Sequence, residues 1–117
     1  MAEMVKNLHN MTQGEIFNVI ANTDPTSELV KIDRFKLRYI TNEQVELDDD
    51  KGTREVEKLT LICEINGELK GFHSTSLTLN AQLKKAVIFF GEGISNQWFS
   101  INDILKGSNK QYELRTL

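Results

Sequence analysis

The chain is short of the residues on which disulfide-stapled, metal-dependent and membrane-spanning domains rely. Its 117 residues include one cysteine, one proline and two histidines. The lone Cys63 excludes an intramolecular disulfide and, set in the strand-like run LTLICEI, reads as a buried small hydrophobe. With only His9 and His73 to join it, the chain has too few thiolate or imidazole ligands for zinc. No apolar run approaches the ~20 residues of a membrane helix; the longest is Ala86 to Phe90. The opening MAEMVKNLHNM lacks the apolar centre of a signal peptide, so a cytoplasmic location and no membrane partner are expected.

Catalytic signatures are missing too. There is no GxSxG elbow, phosphate-binding lysine loop, GxGxxG fingerprint or HExxH pair. His73 and Ser74 are neighbours, and in a strand neighbours point to opposite faces, so they do not make a nucleophile and base pair. An enzyme is not expected, and neither a cofactor nor a metal is implied. The aspartates Asp48, Asp49 and Asp50 are contiguous and lack the spaced ligands of a calcium loop; they read as a solvated turn.

Net positive charge is also absent. The formal charge is -3, which argues against a strongly basic nucleic-acid surface. Its distribution softens that argument. Seven acids and two bases lie between Glu43 and Glu57, which leaves twelve bases and ten acids elsewhere.

What is present suits one small domain, with 39% hydrophobic and 26% charged residues. TQGEIFNVIA at 12–21 has Thr12 and Glu15 at capping-box spacing, which suggests a short helix, although Phe, Val and Ile equally suit a strand and Gly14 weakens a helix. LVKIDRFKLRYI, from Leu29 to Ile40, reads as a long strand whose apolar residues change phase between Ile32 and Phe35. A bulge near Asp33 and Arg34 is therefore expected. VEKLTLICEI, the turn signal NGE and LKGFHSTS predict a hairpin. Leu79, Leu83, Ala86, Val87 and Phe90 form a helical stripe, capped by Ser76 or Thr78 and stopped by Gly91. Strands at Trp98 to Leu105 and Lys110 to Leu114, around a KGSN turn, complete the chain. The order strand, strand, strand, helix, strand, strand is that of an OB-fold. The expected architecture is thus mainly β with one or two helices, a five-stranded OB barrel over 29–117 behind an N-terminal extension, 1–28.

Binding to a single strand requires aromatic plates for bases and cations for phosphates. The long first strand offers Lys31, Arg34, Phe35, Lys36, Arg38 and Tyr39, the third offers Lys70, Phe72 and His73, and the last two offer Trp98 and Tyr112. Alternation prevents all of them from facing one groove: Lys70 and Phe72 share a face, and His73 lies opposite. Each aromatic also has a plain role in the core.

IFNVIAN at 16–22, GFHSTS at 71–76, a helix ending in FFG at 89–91 and a tryptophan at 98 together resemble a family of small single-stranded-DNA-binding proteins from phages of Gram-positive hosts. The resemblance implies an OB-like protein that coats single-stranded DNA in phage replication or recombination, as a homo-oligomer of two or four chains. Replication or recombination proteins are further implied partners. Phe72, His73, Ser74, Ser76 and Gly91 are the matching positions. The alternative expectation is a protein-binding adaptor or host-enzyme inhibitor on a small barrel, with the acidic segment as its contact; an oligosaccharide-binding barrel is third.

Overall fold

The computed structural model describes residues 5–107 and 109–117. Its elements, in chain order, are β1 (Val5–Asn7), α1 (Gln13–Ile20), β2 (Thr23–Pro25), α2 (Thr26–Val30), β3 (Lys36–Asp49), β4 (Gly52–Ile65), β5 (Glu68–Ser74), α3 (Leu77–Phe90), a 3-10 helix (Gly91–Asn96), β6 (Phe99–Lys106) and β7 (Asn109–Thr116). The chain is mainly β, with three α-helices where one or two were expected.

Local chemistry accounts for most of these elements. Asn66 and Gly67 both take positive φ, 52° and 81°, the pairing that turns a two-residue hairpin with the twist of its strands. In α1 the Thr12 hydroxyl accepts from the Glu15 N–H while the Glu15 carboxylate accepts from the Thr12 N–H. This reciprocal cap decides for helix over strand at 12–21. Ser76 caps α3 by accepting from the Leu79 N–H, and Gly91, at φ 54°, ends it. Along α3 the stripe Leu79, Leu83, Ala86 and Val87 is buried. The hydroxyl-rich seam GFHSTS is the junction of β5 with α3, and Ser74 Oγ accepts there from the Ser76 N–H.

The strand expected from Leu29, with a bulge near Asp33 and Arg34, is corrected. Leu29 belongs to α2 rather than to a strand, and β3 begins at Lys36. The register with β4 shifts between Leu37 and Tyr39, so Arg38 is the extra residue. The bulge lets Phe35 and Leu37, then Ile40, enter one core, while Tyr39 joins a second cluster on the opposite face.

β1, β3, β4, β5 and β2 form one sheet in that order, and β6 and β7 form a separate hairpin. The expected closed five-stranded barrel is therefore corrected: the sheet is open and its strand order differs. The cause lies in the N-terminal residues. β2 pairs in parallel with Gly71–His73 and occupies the free edge of β5, where closure onto β7 would need to occur. At the other edge β1 pairs with Tyr39–Thr41, and an isolated bridge joins Phe99 of β6 to Phe35, just before β3. Residues of the expected N-terminal extension, 1–28, take part in this sheet. Both sheet edges come from them, and the expected boundary after residue 28 falls inside α2.

The main core lies between the sheet, α3 and the β6–β7 hairpin; the smaller one, Met11, Tyr39 and Ile62, lies under α1. Where α1 meets the sheet the approach is tight: a Cβ on Gly71 would stand 2.9 Å from the Val19 carbonyl oxygen. Cys63 is fully buried, and burial pushes its thiol well above the ordinary range, so it stays protonated. Ser108, within the expected KGSN turn, and the first four residues lie outside the described residues.

Candidate functional site

The site grows out of one backbone pairing. The N–H of Phe35 donates to the carbonyl of Phe99 at 2.9 Å, and the N–H of Phe99 donates back at 2.8 Å. Both rings are fully buried, with centroids 6.0 Å apart. Because side chains alternate along a strand, their neighbours Arg34, Lys36, Trp98 and Ser100 are directed to the opposite, outer face. The Arg34 guanidinium carbon lies 4.3 Å and the Lys36 ammonium nitrogen 4.6 Å from the centroid of the Trp98 ring. Arg34 is exposed; Lys36 and Trp98 are half-buried. Two cations thus flank one accessible aromatic, each held by the ring's negative face.

Arg38 secures the loop that presents the tryptophan. The bulge turns its side chain inward, where Nε and Nη2 donate to Glu64 Oε1 at 3.2 and 2.8 Å and Nη1 donates to the Ser95 carbonyl at 2.7 Å. Ser95 lies three residues before Trp98, so the guanidinium ties the 3-10 segment to β3 and β4. One basic residue on this face was missed in the sequence. The β6–β7 register places Arg115 opposite Ser100, and thereby beyond Arg34 on the same outer face. Arg115 is exposed and paired with Glu113. Alternation within ELRT was visible in the sequence, but not the strand it would face.

Compared with protein-family models, with curated proteins and with solved structures, the chain shows no match in any of the three.

Of the expected contact residues, Arg34, Lys36 and Trp98 are brought together. Phe35 and Phe72 belong to the main core and Tyr39 to the smaller one, because each sits on a phase that faces packed side chains. They are corrected from base-stacking plates to core residues, and Arg38 is corrected from a phosphate contact to a buried ion-pair partner. Lys31 is exposed at the end of α2 and pairs with Glu28 at 3.3 Å. Lys70 is exposed on β5. Tyr112 faces inward, half-buried against the main core, and meets His73, Thr75 and Ser27 around a polar hollow away from Trp98. His73 Nδ1 shares a hydrogen bond of 2.8 Å with the Thr23 hydroxyl, and its carbonyl accepts from the Thr26 hydroxyl at 3.0 Å. The histidine fastens β2 and α2 to the sheet.

Most acids of the 43–57 window stand away from the Trp98 face, which carries Glu113 beside Arg115. They crowd the outer half of β3 and β4, where Asp48 to Lys51 form an exposed tip. Lys36 stands at the other end of the 14-residue strand. At roughly 3.3 Å per residue that separation covers several Debye lengths of ~8 Å, so the tip leaves the potential at Trp98 nearly unaltered. Glu57 is enclosed: it receives Lys84 Nζ at 2.8 and 3.0 Å and Asn42 Nδ2 at 2.9 Å. Burial opposes its charge, but the bonds from Lys84 and Asn42 outweigh that and hold its carboxyl below the ordinary glutamate value. Among the described residues, three or more histidine, cysteine, aspartate or glutamate side chains do not converge as a metal cluster would require, and no helix is long and apolar enough to cross a membrane.

Proposed function

We propose that the chain binds single-stranded DNA without sequence preference and coats it during phage replication or recombination, on an OB-like arrangement left open by its N-terminal strands. The observation that carries this reading is the Trp98 ring flanked by Arg34 and Lys36 on an outer sheet face. A cation over an exposed ring is worth ~0.5–1 kcal/mol, whereas a base stacked on an aromatic is worth ~1–3 kcal/mol. A base therefore displaces a cation from the ring, and the released cation is already placed for the adjoining phosphate. Every base has a π-face, so this exchange is indifferent to sequence.

One aromatic plate and a few cations make a small footprint. With Arg34, Lys36 and a third phosphate contact from Lys31 or Arg115, the logarithm of the binding constant falls with a slope of about -2 against log salt. The chain contains a single tryptophan, so its fluorescence reports the site alone. Quenching by a ~30-nucleotide oligo-dT, stronger than by duplex of equal length and weakened by salt, supports the reading. No change at low salt overturns it.

A second reading, a protein-binding adaptor or host-enzyme inhibitor, draws on the acidic outer half of the β3–β4 hairpin, which projects from the packed body with its carboxylates exposed. Absence of oligonucleotide binding, with capture of a basic protein abolished by neutralising Asp48, Asp49 and Asp50, favours this second reading.

A further inference from the structure

Lys36 stands directly opposite Glu64 in the β3–β4 register, and side chains so paired share a face with their Cβ atoms ~5 Å apart. A carboxylate at that separation is the ordinary partner of an ammonium. Lys36 nevertheless has no ion pair among the described residues, and its Nζ lies over the Trp98 ring, 4.6 Å from the centroid. Arg115 shows the opposite outcome on the same outer face. It is paired with Glu113, two residues away and therefore on its own side of β7.

The difference lies beneath the face. Glu64 Oε1 accepts from both Nε and Nη2 of Arg38, at 3.2 and 2.8 Å. Arg38 is only 6% exposed, so its guanidinium is too enclosed to meet a phosphate, but it draws the carboxylate inward and offsets its charge. Removing one partner of such a pair leaves the other uncompensated where water screens it poorly. For Glu64 without Arg38, the cation across the strand is Lys36.

We infer that Arg38 is a positioning residue of the single-strand site: by holding Glu64, it keeps Lys36 on Trp98 and available to a phosphate. This role is separate from the bond to the Ser95 carbonyl, which acts on the loop and not on the charge of Glu64. Its consequence for binding rests on the DNA-binding reading, whereas the charge relation itself is tested without DNA.

Proton NMR of the full chain, free of DNA, reads the place of Lys36. In the wild type its ε protons are expected upfield, displaced by the indole ring current. Arg38→Met is expected to lose that displacement as Lys36 turns to Glu64. Arg38→Met/Glu64→Gln is expected to recover it, although both variants lack the bond to Ser95. Arg38→Gln, neutral yet still a donor, replaces the methionine variant if circular dichroism shows the latter unfolded. With oligo-dT, the salt slope of Arg38→Met is expected to be shallower by about 0.7, the loss of one phosphate contact, and the double variant to regain the wild-type slope. A single variant that keeps the upfield shift or the wild-type slope, or a double variant that fails to regain them, overturns the inference. A set of variants whose shifts follow this pattern while the wild type binds no oligo-dT overturns the DNA-binding reading and leaves the charge relation of Arg38, Glu64 and Lys36 standing.

Discussion

Phe35 and Phe99 exchange both backbone hydrogen bonds, and this single pair joins the five-stranded sheet to the β6–β7 hairpin. It also fixes the site. With both phenylalanines turned inward, alternation places Arg34, Lys36 and Trp98 side by side on the outside. Removal of the plate is therefore the most direct functional test. Trp98→Ala is expected to weaken oligo-dT binding about 10- to 100-fold, in line with one lost stacking contact. Arg34→Ala and Lys36→Ala are expected to make the salt slope shallower by about 0.7 each. Anisotropy of a labelled oligonucleotide across a salt series reads both quantities.

Arg38 is expected to govern stability and the placement of the tryptophan loop. Arg38→Met keeps the length of the side chain but leaves Glu64 without its partner and the Ser95 carbonyl without its donor. The expected cost is about 1–3 kcal/mol, toward the lower end because water reaches Glu64. The denaturant midpoint measures it, and faster amide exchange over residues 95–98 locates it. A variant as stable as the wild type, with unaltered exchange, contradicts the assigned role.

Glycine substitutions separate tight packing from open space. Gly71→Ala drives a Cβ to 2.9 Å from the Val19 carbonyl oxygen, a backbone atom that cannot swing aside. A loss of about 1–3 kcal/mol is expected. Gly14→Ala, in α1 with nothing within 4 Å of the new Cβ, is expected to stabilise by about 0.5–1 kcal/mol through helix propensity. Thermal melts of the two variants should shift in opposite directions.

Glu57 makes stability depend on acid. Its folded value is held below the ordinary 4.5, so its contribution is fully present above the ordinary value and is lost as pH falls from there through the folded value. Glu57→Gln should be less stable than the wild type at neutral pH and should lose less on acidification below pH 4.5. Urea midpoints at neutral and acid pH test this. An identical acid dependence in both proteins sinks the assignment.

Elements set by neighbours along the chain were legible in the sequence. The Thr12 and Glu15 cap, the Asn66–Gly67 turn, the α3 stripe and its Gly91 stop each depend on residues within a few positions, and each formed. The bulge expected near Asp33 and Arg34 rested on a strand through Ile32 that does not form, since Leu29 and Val30 are helical; the chain bulges instead within β3. That location at Arg38 was not legible, since the bulge goes where the facing strand leaves a partner, here Glu64 and Ser95.

By itself, then, the sequence determined the hairpins, the helix ends, the buried thiol and the separation of acids from bases, because short-range geometry and charge order are written along the chain. Only the tertiary structure decided that β1 and β2 take the sheet edges and leave the barrel open, that Phe35 and Phe72 fill the core, and that Arg34 and Lys36 converge on a tryptophan more than sixty residues away. The physical reason is that an unpaired strand edge accepts any compatible partner. Which segment reaches it first is settled by the packing of the whole chain.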